Sequence, residues 1–424
     1  MPKMRFVALF VSLLALSIVP ASIAPARSAE VATPDDTARF LAGLPPSPES
    51  PLAALTKDPT WQQHARYFDA IFGQVDRNHL SKIRAFSKER LTDTHDTMLY
   101  MFSGPDALHA IALFPKASTY VLSGLEQTGD IPQLTSLPRN TMARTLRSLE
   151  ASMNSLLTIS FFITKNMGSQ LYQGPVYGTL PVISVFLARS GKTIRETSFV
   201  NIDDDGNLKP AAGEPRLKTV ARGVKIVFTS GDGPEQTLYY FNTNLANDGV
   251  KNSGFLAFCA NLGEADSFVK SASYLLHGSS FSTVRNFLLD HSGTILQDDT
   301  GIPVSYFDAK KWQLQPFGRY VGPIRVFSRN YQSQMAELFR RGRPIPLDFG
   351  LGYRWRTNET SLLLAEKIDA PKPEAKPVPL AAPKPNPAPL ASSSKPDPAP
   401  AVTPEAADPM AAPAIAPEAS SKPN

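Results

Sequence analysis

The chain has 424 residues, one cysteine and a formal net charge of +5 at pH 7, with a pI near 9.1. A single cysteine excludes an intrachain disulfide and thiolate-based zinc sites, so a buried apolar core has to hold the fold. Basic residues are scattered among acidic ones, and there is no arginine-rich arm, zinc spacing or aromatic RNA-reading motif, which speaks against nucleic acid as a partner.

The N-terminus predicts export. Lys3 and Arg5 precede an apolar run over 6–20, and Ala24-Pro25-Ala26 supplies the small residues of a signal-peptidase site. The run stops at Pro20, short of the roughly 20 residues that a spanning helix needs, which favours cleavage over a membrane anchor. The chain thus divides into a signal peptide (1–26), an N-terminal segment with a helical cap (27–96), a mixed core (97–368) and a Pro/Ala-rich tail (369–424). The tail has hardly an aromatic or β-branched residue and cannot bury enough apolar surface to offset its ordering entropy. It is expected to be disordered, either as an extended spacer in the cell envelope or with no partner. These readings together predict a periplasmic or secreted protein with no transmembrane anchor after signal cleavage.

Within the folded part, helical spacing over 61–72 (Trp61, His64, Ala65, Phe68, Ile71, Phe72) and over 80–91 predicts the two amphipathic helices of the cap. From 97 an apolar run breaks at Ser103-Gly104-Pro105-Asp106 and resumes with helical spacing to Phe114, which reads as strand, tight turn and helix. A second strand over 118–126 ends in Gly124-Leu125-Glu126 and makes the unit βαβ-like. A long buried helix is expected over 139–167. Segments 180–188, 197–202, 223–229 and 236–242 read as antiparallel hairpin strands between Gly, Asp and Asn clusters. Cys259 lies in an apolar run and is expected to be a buried thiol. Helices follow at 267–277 and 281–291, then a strand at 293–299 that ends in Asp298-Asp299 with its turn at 300–303. Closing strands at 312–320 and 324–327 and a last helix at 332–340 complete an α/β or α+β fold, a mixed sheet with flanking helices. The densest basic cluster, Arg340-Arg341-Gly342-Arg343, falls at the end of that helix, where cations favour the dipole.

The run Ser103-Gly104-Pro105-Asp106 with Phe114-Pro115, Tyr120, Gly124-Leu125-Glu126, Gln297-Asp298-Asp299 and Gly301-Ile302-Pro303 resembles an uncharacterised family of exported bacterial proteins. The resemblance covers most of the core and implies that these segments belong to one fold; no activity comes with it.

Ser103, Gly104 and Asp106 stand beyond the carboxyl end of a strand, where α/β sheets usually place ligands. A Rossmann-like nucleotide site is one reading, because Glu126 lies about 20 residues past the turn, where an acid binds a ribose. The glycines do not fit, since the turn has one and Pro105 removes an amide donor. A Rossmann-type methyltransferase tolerates a looser loop, but S-adenosylmethionine and nicotinamide cofactors are not expected outside the cytoplasm, and no cofactor is predicted. Asp106 also suits the plainer job of N-cap to the helix that begins at Ala107.

A hydrolase is the second reading, with Ser103 as nucleophile and Asp106 and His109 three apart on one helix face. The remaining local pairings are His95 with Asp96 and His291 with Asp290 and Ser292; none has metal-ligand spacing, and no Gly-x-Ser-x-Gly elbow is present. His277 and His291 each close a predicted helix, where they favour its dipole. Asp298 and Asp299 point to opposite faces of a strand, so acid-base work needs a partner from elsewhere, and turn formation accounts for both. Asp203, Asp205, Asn207 and Glu214 imitate a calcium loop, but Leu208 stands where that loop needs glycine. An Asp-Gly hairpin turn is preferred and no metal site is predicted. The sequence therefore favours a non-catalytic binding or envelope-associated protein, with a pocket near Ser103, Gly104, Asp106, Glu126, Asp298 and Asp299 for an unknown small molecule or envelope component. The alternative is a hydrolase using Ser103, His109 and a carboxylate, and a scaffold would instead lack a pocket and expose an apolar patch.

Overall fold

Five strands run parallel at the centre of a ten-stranded sheet: β1 (Thr97–Tyr100), β2 (Thr119–Gly124), β6 (Glu235–Asn242), β7 (Ala265–Val269) and β8 (Ser292–Gln297). The computed structural model describes residues 31–368 apart from 132, 160–174, 212–220 and 252. The predicted signal peptide and tail, Gly213, Glu214 and the distal part of the helix expected over 139–167 lie outside the described residues. The spatial order β6-β2-β1-β7-β8 is, in chain order of the parallel strands, third, second, first, fourth, fifth. That is the doubly wound order, which reverses beside β1 and opens a crevice there at the strands' carboxyl ends.

Alternation along the strands builds both cores. Met98 and Tyr100 of β1 and Tyr120 and Leu122 of β2 face one apolar layer, and Leu99, Met101 and Val121 face the other. The first layer is closed by helices Pro34–Leu41, Pro59–Val75, Ala107–Leu113, Arg139–Ile159 and Thr179–Arg189, the second by Phe255–Asn261 and Ser282–His291. Helices on both faces make an α/β fold, and the predicted cap packs into the same core as the sheet.

Antiparallel strands extend both edges. β3 (Lys192–Ile202), β4 (Leu208–Pro210) and β5 (Arg222–Ser230) form a ribbon that leads into β6. On the other edge, β10 (Ser361–Lys367) inserts between β8 and β9 (Trp312–Gly318). The Asp-Gly turn joins β3 to β4 as expected: Asp203 accepts the backbone N–H of Asn207 at 2.8 Å and pairs with Lys209, and Gly206 has φ 82°. Cys259 is fully buried.

Three predicted elements differ. Residues 180–188 form a helix, Thr179–Arg189, rather than a strand; Thr179 through Ala188 are all buried, and a stretch apolar on every side carries no periodicity to tell the two apart. Residues 265–269 form strand β7, where a helix was expected over 267–277, and only a short 3-10 turn, Leu275–His277, follows. Residues 324–327 enter the 3-10 segment Arg325–Asn330 instead of a strand. Strand β10 and helices Pro34–Leu41 and Phe255–Asn261 were not anticipated. Among the described residues no helix is long and apolar enough to cross a membrane.

Candidate ligand-binding site

Strand β1 ends in a backbone reversal, with Phe102 (φ 65°) and Gly104 (φ 54°) in the left-handed region. Ser103 pins this reversal to β2: its hydroxyl donates to the Gly104 carbonyl (2.8 Å) and accepts the backbone N–H of Ser123 (3.1 Å). A Cβ on Gly124 would crowd the Glu126 carboxylate and stand 3.1 Å from the Gly104 Cα, so glycine is what lets the two strand ends meet. Ser103→Ala removes the acceptor of a buried amide. It is expected to lower stability by about 1–2 kcal/mol, read by chemical denaturation, without an effect on any bond-breaking step.

Asp106 then caps helix Ala107–Leu113, its Oδ1 accepting the backbone N–H of His109 at 3.2 Å. The same carboxylate accepts from His109 Nδ1 (2.9 Å), the Tyr100 hydroxyl (3.0 Å) and Lys270 Nζ (2.7 Å), the residue that follows β7. Asp106, His109 and Lys270 are all buried. Burial opposes ionisation of Asp106, but the neighbouring positive charge and these hydrogen bonds outweigh it and hold the carboxyl below its usual range. Burial is also the main reason that His109 is pushed down. With Nδ1–H committed to Asp106, the Nε2 lone pair of His109 faces His79 Nε2 at 3.2 Å, whose N–H donates. His79 sits in a π-helical turn, Asp76–Leu80, and burial, aided by the neighbouring His109 and Lys270, lowers its pKa to about 3. Asp106, His109 and His79 thus form one hydrogen-bonded line running from the sheet into the helical layer.

A cleft of about 190 Å³ opens over this floor at the carboxyl ends of β1, β2, β6 and β7. Ser103, Gly104, Asp106 and Lys270 form its base, Phe102, Leu245 and Phe281 its apolar wall, and Glu126 and Asn244 part of its rim. Glu126 is half-buried; burial pushes its carboxyl up, opposed by its own backbone N–H and the Tyr240 hydroxyl.

Asp298 and Asp299 lie outside the lining, contrary to the expected ligand set. Asp298 accepts the backbone N–H of Ser271 (2.9 Å) and of Thr300 (2.9 Å), so it shapes the loop behind the cleft and its own turn. Asp299 points the other way and accepts the Tyr274 hydroxyl at 2.6 Å. Burial raises both, and the Asp298 charge adds to the rise of Asp299, to about 7.

The histidine pairings change as well. His95 bonds not to Asp96 but to Asp266 of β7 (2.9 Å), His291 stacks on Phe287 with ring centroids 4.3 Å apart, and His277 lies edge-on to Tyr274. Ser103, Asp106 and His109 do not join in a triad: His109 faces Asp106 and His79, while the Ser103 hydroxyl is held by backbone groups. Among the described residues no group of three or more His, Cys, Asp or Glu side chains is placed to hold a metal. Lys270 and His79 escaped the sequence reading. Lys270 has a signal, a lone charge closing the apolar run Phe268-Val269, but it falls inside a predicted helix; His79 reaches the site from a π turn that carries no sequence signal. No protein-family model matches the chain and no curated protein matches it, so the reading of the cleft rests on its own geometry.

Proposed function

We propose that the chain is an exported binding protein, acting in the periplasm or secreted, whose cleft takes an uncharged or cationic ribosyl compound such as a nucleoside. The observation that carries this reading is Glu126 on the rim of the cleft, at the carboxyl end of the second parallel strand beside the sheet's reversal point. An acid in that place accepts hydrogen bonds from a ribose diol. Phe102, Leu245 and Phe281 offer the apolar wall that a base needs.

The same floor disfavours a phosphate. Pro105 has no N–H, the amide of Ala107 bonds to the Pro105 carbonyl (2.7 Å) and that of His109 to Asp106, so the helix start has spent donors that would hold an anion. Asp106 adds a negative charge there and engages Lys270. The site binds without reacting on this reading, because its one histidine–carboxylate pair lies beneath the cleft with both ring nitrogens committed.

Titration calorimetry with adenosine, 2′-deoxyadenosine and adenosine monophosphate tests it. Adenosine is expected to bind best, and Glu126→Gln to weaken it by about 10- to 100-fold, the range of a charge-assisted hydrogen bond. Equal binding of the deoxy compound, or tighter binding of the monophosphate, sinks the ribosyl assignment.

A further inference from the structure

Between β9 and β10 the segment from Arg319 to Arg356 carries eight arginines, no lysine and two acids, Glu337 and Asp348. That excess exceeds the net +5 of the entire chain. The sequence spreads it over three stretches, and the fold gathers them. The Arg354 guanidinium donates to the carbonyls of Gly322 (3.0 Å) and Pro323 (2.7 Å), Phe327 stacks on Tyr353, and Tyr320 packs on both Tyr331 and Phe339. Arg340 and Arg341 pair with Glu337, and Arg354 with Glu359. Among the described residues Arg319, Arg325, Arg329 and Arg343 are exposed and have no ion-pair partner.

The same segment exposes Val321, Val326, Tyr331 (58%) and Trp355 (37%), half of the eight large apolar side chains exposed among the described residues. Unpaired arginines interleaved with exposed aromatic and aliphatic groups are the composition of a surface that seats at a lipid headgroup layer. The guanidinium groups meet phosphates while Trp and Tyr settle at the interface. The hot spots of protein interfaces cluster in well-packed, desolvated pockets, whereas Arg325 and Arg329 stand on a short 3-10 segment and are exposed to solvent.

We propose that this arginine-aromatic segment docks the protein on an anionic phospholipid surface. It is peripheral docking, with no segment inserted across the bilayer, and it is independent of what the cleft binds.

The test is co-sedimentation of the chain with phosphatidylcholine vesicles, with and without about one third phosphatidylglycerol, together with tryptophan emission. Of the three tryptophans, Trp61 and Trp312 are buried and only Trp355 is exposed, so a blue shift on binding reports Trp355 entering an apolar layer. Binding is expected to the anionic vesicles, with the shift, and to vanish at high salt. The double variant Arg325→Glu/Arg329→Glu is expected to bind at least about 25-fold more weakly, taking roughly fivefold per arginine, and Trp355→Ser to lose the shift. Both arginines are exposed and unpaired, so the variant keeps its fold; if it did not, the salt dependence and Trp355 shift of the unaltered chain still decide. Equal partition onto neutral vesicles, undiminished binding of the arginine variant, or an unshifted emission overturns the proposal. So does retention by a soluble polyanion such as heparin with no vesicle binding.

Discussion

Lys270→Met is expected to destabilise the protein by about 3–5 kcal/mol, the cost of leaving a buried charge without its partner. Asp106 is 1% exposed and accepts from Lys270, Tyr100, His109 Nδ1 and the His109 amide. Only the first of these is an ion pair with lysine; without it the carboxylate is held by weaker hydrogen bonds in a site where burial alone would push its pKa up. Asp106→Asn alone strands the opposite charge and is expected to cost a similar amount. The diagnostic is the double variant, because a buried pair removed together leaves no charge behind. Asp106→Asn/Lys270→Met should be more stable than the sum of the single losses by about 2 kcal/mol or more, measured by urea denaturation of all four proteins. Additive losses, or a Lys270→Met variant within about 1 kcal/mol of the parent, would show that the pair is solvated and that the cleft floor is not the dry, charge-balanced surface described above. The magnitude matters for binding too. A floor held this firmly presents Glu126 and the apolar wall in fixed positions, which reduces the ordering cost that a ligand has to meet.

The parts of this architecture that were legible in sequence are those with local periodicity or a local break. The β1-turn-helix-β2 unit was visible because an apolar run stops at four turn-forming residues and resumes at helical spacing, and Asp106 declared itself as a cap by position alone. Glu126 could be placed because its distance from the turn reflects the length of one helix and one strand. What failed was fully buried structure. Helix Thr179–Arg189 is buried and almost wholly apolar from Thr179 to Ala188, and strand β7 is buried along its whole length with Asp266 and Ser267 inside the run, so neither shows a solvent face from which a period could be read. Misreading β7 hid Lys270, and with it the partner that gives the Asp106 site its charge balance. His79 illustrates a different limit. It lies 30 residues from His109 in sequence and reaches it from a π-helical turn, a local irregularity that no hydrophobic period announces. Asp298 and Asp299 were legible as a turn, but their placement among the ligand-binding residues was wrong, because Asp298 is taken up by the amides of Ser271 and Thr300 and Asp299 by the Tyr274 hydroxyl, contacts that no local pattern announces.

That buried acid pair makes a pH experiment informative. Asp299 is raised from 3.8 to about 7, first by burial and then by the charge of Asp298, while Tyr274 and Arg354 oppose the rise. In the unfolded chain the carboxyl loses its proton near its ordinary value; in the folded protein it keeps it to about 7. A raised folded pKa therefore contributes stability that is complete below about 4 and is lost as pH climbs through 7. His79 works in the opposite sense, since its pKa falls from 6.5 to about 3 in the fold, so its contribution is complete above 6.5 and is lost as pH falls towards 3. The two slopes offset each other in the window between about 4 and 6.5, each being about 1.4 kcal/mol per pH unit. Single variants separate them. Asp299→Asn keeps an acceptor for the Tyr274 hydroxyl but removes the titration, so it should gain stability relative to the parent steadily from pH 4 to 7, on the order of 2–4 kcal/mol in all. His79→Gln should gain relative to the parent as pH falls below 6.5. Melting temperatures of the three proteins across pH 4 to 8 decide the matter. A constant gap between Asp299→Asn and the parent over that range means that Asp299 ionises normally, and that the loop behind the cleft is wetter than its packing implies.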